Sequence, residues 1–254
     1  MEGWHGWDEY APYYDWENAR TVGRRDIQFW KELAEERGGP VLELGSGTGR
    51  VSLPVARTIG ALVGIDRSQS MLAVARRRVR RSRHGDGLSF VRGDIRELPF
   101  SREFFGLVMA PYGVLQSLIR NCDLRQALLS VRDVLRPGGT LAIDLVPELP
   151  TWQECERQVS LRGRRGAETR ISLIESVRQD HARRITIFDQ EFVERRGRAR
   201  RVRRFKLVFR TLSIQQMTGR LRRAGFRIER VSGDYQGGAW QADAPTWVII
   251  ARRT

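Results

Sequence analysis

A chain of 254 residues, 41% hydrophobic and 30% charged, is long enough to bury a full core and fits one elaborated α/β domain or a domain with a small insert. No apolar stretch approaches the roughly 18 residues a membrane-crossing helix needs, and the opening MEGWHGWDEYAPYYDW lacks the basic start and apolar centre of a secretion signal, so a cytoplasmic protein is expected. The formal charge of +15 is nearly all arginine, because Lys31 and Lys206 are the only lysines; such a surplus marks either a nucleic-acid partner or a compositional bias spread along the chain.

The first 16 residues hold Trp4, Trp7, Tyr10, Tyr13, Tyr14 and Trp16, far above the chain average of 9% aromatic. From 40 to 145, short apolar runs alternate with amphipathic stretches, the pattern of βαβ units and a parallel sheet. Strands are predicted over Val41–Leu44, Ala61–Ile65, Leu88–Val91, Leu107–Ala110 and Thr140–Leu145. One helix is predicted over 69–82, capped by Ser68 and apolar at Met71, Leu72, Ala75 and Val79; another runs over 124–135, ended by RPGG at 136–139.

Residues 165–211 switch to a period of two, with Phe205, Leu207 and Phe209 alternating with Arg204, Lys206 and Arg210. Three antiparallel strands are predicted there, near 169–178, 184–194 and 201–211. The α/β pattern then resumes: Ser213 and Gln216 form a capping box for a helix to about 224, Gly225 ends it, and strands follow near 226–232 and 246–252. The meander is therefore an insertion. We expect an α/β domain over 1–150 and 212–254, with 1–20 as an N-terminal lid, and an inserted antiparallel β cap over 151–211. RRGRARRVRR at 195–204 reads as a hairpin turn with solvated edges.

VLELGSGTGR at 41–50 is a strand running into a glycine turn, which places bare backbone N–H groups at the mouth of the sheet. Its glycines fall at Gly45, Gly47 and Gly49, with Glu43 in the strand, instead of the G-x-G-x-x-G of a dinucleotide site. The second strand ends in LVGIDRSQSML, with Asp66 lying 17 positions after Gly49, where a carboxylate accepts hydrogen bonds from both ribose hydroxyls. The third ends in FVRGDIRELPF, where Asp94 is placed to accept from an adenine amino group while Ile95 packs on the base. Together the three strand ends build one adenosine pocket.

These motifs, with FGLVMAPYGVLQSL after the fourth strand and VLRPGGTLAIDL leading into the fifth, resemble those of class I S-adenosylmethionine-dependent methyltransferases. The resemblance spans 40–145 and implies a Rossmann-like, mostly parallel seven-stranded sheet in the order 3-2-1-4-5-7-6, its last strand antiparallel. It implies that Glu43, Gly45, Ser46, Gly47 and Gly49 surround the methionine part of S-adenosyl-L-methionine. Asp66 then binds the ribose, Asp94 and Ile95 hold the adenine with Met71 on its other face, and Arg67, Gly93 and Met109 are further cofactor-binding candidates. Such a ligand has no pyrophosphate, which accounts for the missing fingerprint glycine. The product is S-adenosyl-L-homocysteine.

Methyl transfer from a sulfonium is an in-line displacement, so alignment and exclusion of water carry most of the catalysis. A metal is not required; Cys122 and Cys155 lack ligand spacing, and His5, His84 and His181 are scattered. Tyr112 and His181 are the candidates for a base. By analogy with similar small-molecule enzymes, Tyr13 and Tyr14 belong to a lid over the donor. Tyr112, Gln116, Trp152, Arg210, Tyr235 and Trp240 are the candidate acceptor contacts. The β insertion and the ending GFRIERVSGDYQGGAW are similar to bacterial enzymes that methylate small metabolites, including sugar amine N-methyltransferases. The expected acceptor is a small molecule with an N or O nucleophile, and the rival is a nucleic-acid or protein methyltransferase using the basic surface. Against the rival, APYG puts Ala110 where base-amino methyltransferases carry Asn or Asp. A non-enzymatic binding protein on the same fold is the remaining alternative.

Overall fold

The computed structural model describes residues 6–21, 25–82, 87–146, 154–242, 244 and 246–254. Its main sheet has seven strands: β1 (Val41–Leu44), β2 (Leu62–Asp66), β3 (Leu88–Arg92), β4 (Phe105–Ala110), β5 (Leu135–Leu145), β10 (Phe226–Ser232) and β11 (Trp247–Arg253). They lie in the order β10-β11-β5-β4-β1-β2-β3, which is 3-2-1-4-5-7-6 when only these seven are numbered. β1 pairs in parallel with β2 and β4, while β11 runs antiparallel to both β5 and β10.

Both faces of this sheet are covered, which is why β1 and β4 are buried along their whole length and read in sequence as unbroken apolar runs. On one face α5 (Asn121–Val134) and α6 (Ile214–Arg223) bury Leu124, Leu128, Met217 and Leu221 against Leu42, Val108 and Ile143. On the other, α2 (Ile27–Arg37) and α3 (Ser52–Ile59) bury Trp30, Leu33 and Val55 against Val41, Leu107 and Ile250. The expected capping box of α6 is present, Ser213 Oγ accepting from Gln216 N and Gln216 returning to Ser213 N.

A second sheet holds β6 (Cys155–Arg165), β7 (Thr169–Asp180), β8 (Ile185–Arg196) and β9 (Ala199–Arg210), in that order and antiparallel throughout. Its inner face packs against α1 (Trp7–Asn18) through Tyr10, Tyr13, Trp16, Leu173, Phe192 and Leu207, in a cluster that also includes Met71 of α4 (Gln69–Arg81).

Two expectations change. The meander has four strands, not three: β6 is an edge strand exposed along most of its length, so its residues carry little apolar signal. The glycine turn at 45–49 leads into a helix that starts at Ser52. RPGG ends α5 but also begins β5, because the ladder with β4 bulges between Leu135 and Thr140 around Gly138 at φ +71°.

Candidate functional site

A cavity of about 340 Å³ opens at the carboxyl ends of β1 to β4. Gly45 and Gly47 line it in the left-handed backbone region, at φ +62° and +53°. A Cβ on Gly45 would overlap Val114 Cγ2, whereas one on Gly47 would make only ordinary contacts, 3.8 Å from Gly45 O and 4.0 Å from Tyr14 Cε1. Asp66 ends β2 with Oδ2 accepting from Gly47 N and Oδ1 from Ser68 N, both at 2.8 Å. Burial pushes its carboxyl above the usual range. The Arg67 N–H also contributes a bond, and since the two oxygens together can accept about four, acceptor capacity remains for a diol.

Met71 and Ile95 supply apolar walls, and Arg67 lines the same cavity with Nη1 3.3 Å from Asp94 Oδ2. Asp94 also lines it, yet the Arg96 guanidinium grips both of its oxygens at 2.7–3.1 Å and Arg96 N adds a bond at 2.9 Å. Little acceptor capacity remains there for an adenine amino group. Three of the nominated residues act from behind the wall. Gly93 N bonds Asp66 O at 3.0 Å, Gly49 at φ +77° admits Leu53 and Phe90, and Met109 is wholly buried under α2 and α3. Ser46 and Glu43 are likewise buried off the cavity. Burial pushes the Glu43 carboxyl up to about 8, with the Ser52 hydroxyl donating to it. In front of Glu43, Arg50 and Asp26 form a fork at 2.6 and 2.7 Å that ties α2 to the glycine turn.

Helix α1 forms the roof. Asp8 Oδ1 accepts from Ser68 Oγ at 2.6 Å and Ser70 N at 3.0 Å, and the Ser68 bond leads in holding its carboxyl below the ordinary value. Asp15 receives Thr48 Oγ1 and Arg78 Nη2, each at 2.7 Å. Of the tyrosine pair, Tyr14 lines the cavity, whereas Tyr13 turns to the second sheet, stacking on Phe192 at 4.5 Å and donating to Glu194 at 3.2 Å.

A second chamber of about 280 Å³ adjoins the first, walled by α1, β7, β8 and β9, and the two share Trp7, Tyr14, Tyr112 and Phe209. Tyr112 stands at the junction with its backbone at φ +60°, a strained conformation for a tyrosine. The strain is held by Asp144, which accepts from the N–H groups of Tyr112 and Gly113. Tyr235 braces Asp144, its hydroxyl donating at 2.7 Å; it does not line the chamber. Burial pushes the Tyr112 hydroxyl up to about 12, so it is a hydrogen-bonding group at neutral pH and a poor base.

Gln116 lines the chamber, but its amide is consumed by Val146 O, Arg210 O and Val146 N at 2.8–3.0 Å. Arg210 also lines it, with Nη1 to Leu118 O at 3.2 Å, Nη2 to Asn121 Oδ1 at 2.6 Å, and burial lowering its guanidinium to about 10. Trp240 packs on Trp247 away from both cavities, Trp152 lies outside the described residues, and His181 is exposed on the β7–β8 turn and lines neither cavity.

The sequence reading missed Glu17, Glu175 and Gln190. Gln190 Nε2 donates to Glu17 Oε1 at 3.0 Å and to Glu175 Oε1 at 2.8 Å, and the Tyr10 hydroxyl donates to Glu17 Oε2. Burial, with the Glu175 charge adding to it, pushes Glu17 up to about 7. The available signal was helical spacing: Trp7, Tyr10, Tyr14 and Glu17 fall three or four apart and share one face.

The sheet order, with β11 antiparallel and the open cavity at the strand ends, defines the class I methyltransferase fold. A family model described as Methyltransferase domain matches residues 41–139. It is 37% identical over 126 residues to methyltransferase GfsG of Streptomyces halstedii, covering 49% of this chain and 44% of that protein. The chain spans about half the length of the curated relatives it matches. Among solved structures, an S-adenosylmethionine-dependent methyltransferase from Clostridium acetobutylicum superposes with a TM-score of 0.79 at 17% identity, covering 96% of this chain and 98% of that one. The sugar N-methyltransferase KedS8 from Streptoalloteichus superposes with a TM-score of 0.77 at 16% identity, covering 95% and 93%. Among the described residues no helix is long and apolar enough to cross a membrane.

Proposed function

We propose that this protein transfers the methyl group of S-adenosylmethionine to an N or O nucleophile of a small-molecule acceptor. The observation that carries this reading is the pair of abutting cavities with Tyr14 and Tyr112 at their junction. The residues of the first cavity fit the donor. Bare backbone at Gly45 and Gly47 suits an amino acid tail, the remaining acceptor capacity of Asp66 suits a ribose, and the slot between Met71 and Ile95 suits a base. The donor supplies an activated methyl on a sulfonium. The chain's own part is to hold that end toward the second chamber, to exclude water with α1, and to keep the acceptor in line.

In this reading the parts over 1–150 and 212–254 bind the donor and 151–211 caps the acceptor. A chamber walled on several sides by α1 and β7–β9 suits a compact molecule better than a nucleic-acid strand, which needs an open basic groove. The test is calorimetry with S-adenosylmethionine, followed by incubation with the tritium-methyl donor and a cell extract. Binding and label in the small-molecule filtrate are expected. Label confined to RNA or protein refutes the acceptor class, and absence of donor binding refutes the activity.

A further inference from the structure

In a chain with a formal charge of +15, the acids of the second sheet are paired almost one by one: Glu168 with Arg196, Asp189 with Arg178, Glu191 with Arg204 and Glu194 with Arg165. Glu17 and Glu175 break that pattern. They approach each other from α1 and β7 across the acceptor chamber, and among the described residues neither has an ion-pair partner. Only the neutral amide of Gln190 bridges them, through a single nitrogen. Among the described residues the one cation lining the chamber, Arg210, is engaged with Leu118 O and Asn121. Two carboxylates held together in a partly desolvated site without a countercharge repel each other, and a cation entering between them relieves that cost. The other walls, Trp7, Tyr14, Phe188 and Phe209, present ring surfaces that also favour a cation.

We propose that the acceptor is a small amine bound as its ammonium ion, and that Glu17 removes the proton that frees its nitrogen for methylation. This rests on the methyl-transfer reading above and narrows its acceptor to nitrogen. Glu17 is placed for the task because it lies on the same face of α1 as Tyr14, one turn further along, and Tyr14 borders the donor cavity. The step balances as follows. The ammonium N–H proton passes to the Glu17 carboxylate, and the freed lone pair forms the N–CH3 bond as the donor's C–S bond breaks, its electron pair staying on sulfur. The product leaves as a methylated ammonium ion, and the Glu17 proton is released to water.

The groups facing Glu17 are Tyr10 from its own helix, Glu175 from β7, Gln190 from β8 and Tyr112 from the turn after β4. Their balance leaves the carboxyl at about 7, where it is both ionised enough to accept a proton and basic enough to hold one. Glu175 is a positioning residue that shares the ammonium and raises the basicity of Glu17.

The test uses tritium-methyl donor with matched pairs: cyclohexylamine and cyclohexanol, n-hexylamine and 1-hexanol, D-glucosamine and D-glucose. Label is expected in amines at rates at least about tenfold above their alcohols. Glu17→Gln is expected to lower the amine rate by about a hundredfold or more while the donor Kd stays within about twofold, which also reports an intact fold. Wild-type kcat/KM rises with pH through an ionisation near 7, that limb is absent in Glu17→Gln, and Glu175→Gln moves it to lower pH. No label in any amine, equal label in the alcohols, or a Glu17→Gln variant that keeps its rate and its limb overturns the proposal. Failure of the wild type to bind donor is a separate outcome that removes the methyl-transfer reading itself.

Discussion

Asp66 and Asp94 both face the donor cavity, but the structure assigns them unequal weight. Asp66 accepts the Gly47 and Ser68 N–H groups at 2.8 Å, with the Arg67 N–H contributing, and on the proposed reading its remaining acceptor capacity takes the ribose. Asp94 already receives the Arg96 fork and Arg96 N. Asp66→Ala removes a charge-assisted contact worth about 1.5–3 kcal/mol, or roughly 10- to 150-fold in donor Kd. It also strands the N–H groups of Gly47 and Ser68, so stability is expected to fall by about 1–3 kcal/mol. Asp94→Ala gives up little that the ligand was using, and a Kd change under about threefold is expected. Calorimetry with S-adenosylhomocysteine, which binds without reacting, measures both variants, and urea unfolding separates loss of fold from loss of contact. Equal weakening by the two substitutions, or an Asp66→Ala variant within about threefold of wild type, refutes the reasoning.

The glycine turn allows a paired test of strain against clash. Gly45→Ala drives a Cβ into Val114 Cγ2 on a backbone already at φ +62°, so a loss of about 2–4 kcal/mol in urea unfolding is expected, against about 1 kcal/mol for Gly47→Ala, whose Cβ makes only ordinary contacts. Glu43 gives a pH prediction. Its carboxyl is raised from 4.5 to about 8 in the fold, so the folded state holds a proton the unfolded chain has released, and stability is lost as pH rises through that window. Glu43→Gln is expected to leave stability at pH 4.5 unchanged and to raise it at pH 8 by an amount on the order of 3 kcal/mol. A variant equally or less stable at pH 8 contradicts this account.

The donor side was legible because its determinants are local: one strand, one turn and one helix start carry Gly45, Gly47 and Asp66 within 22 residues of sequence. The capping box at Ser213 and the switch to a period of two at the meander were legible for the same reason. The acceptor side is made by contacts across the chain. Gln190 meets Glu17 over a separation of 173 residues, and none of the pair carries a spacing that announces the other. Tyr13 and Tyr14 are adjacent and chemically alike, so sequence alone grouped them; helical geometry sends one to β8 and the other to the cavities. β6 was invisible because an exposed edge strand has no need of alternating apolar residues.

Helix α1 is fastened to the glycine turn and α4 by Asp8 and Asp15 and to the second sheet by Tyr13 and Trp16, and one of its faces walls both cavities. A wall shared in this way cannot swing from one compartment and leave the other shut. On the proposed reading, movement of α1 that opens either compartment has to break the four polar contacts made by two aspartates. Exchange of donor and product would then depend on how readily this twelve-residue helix lets go, a property set by Asp8 and Asp15 and not by the side chains that line the second chamber.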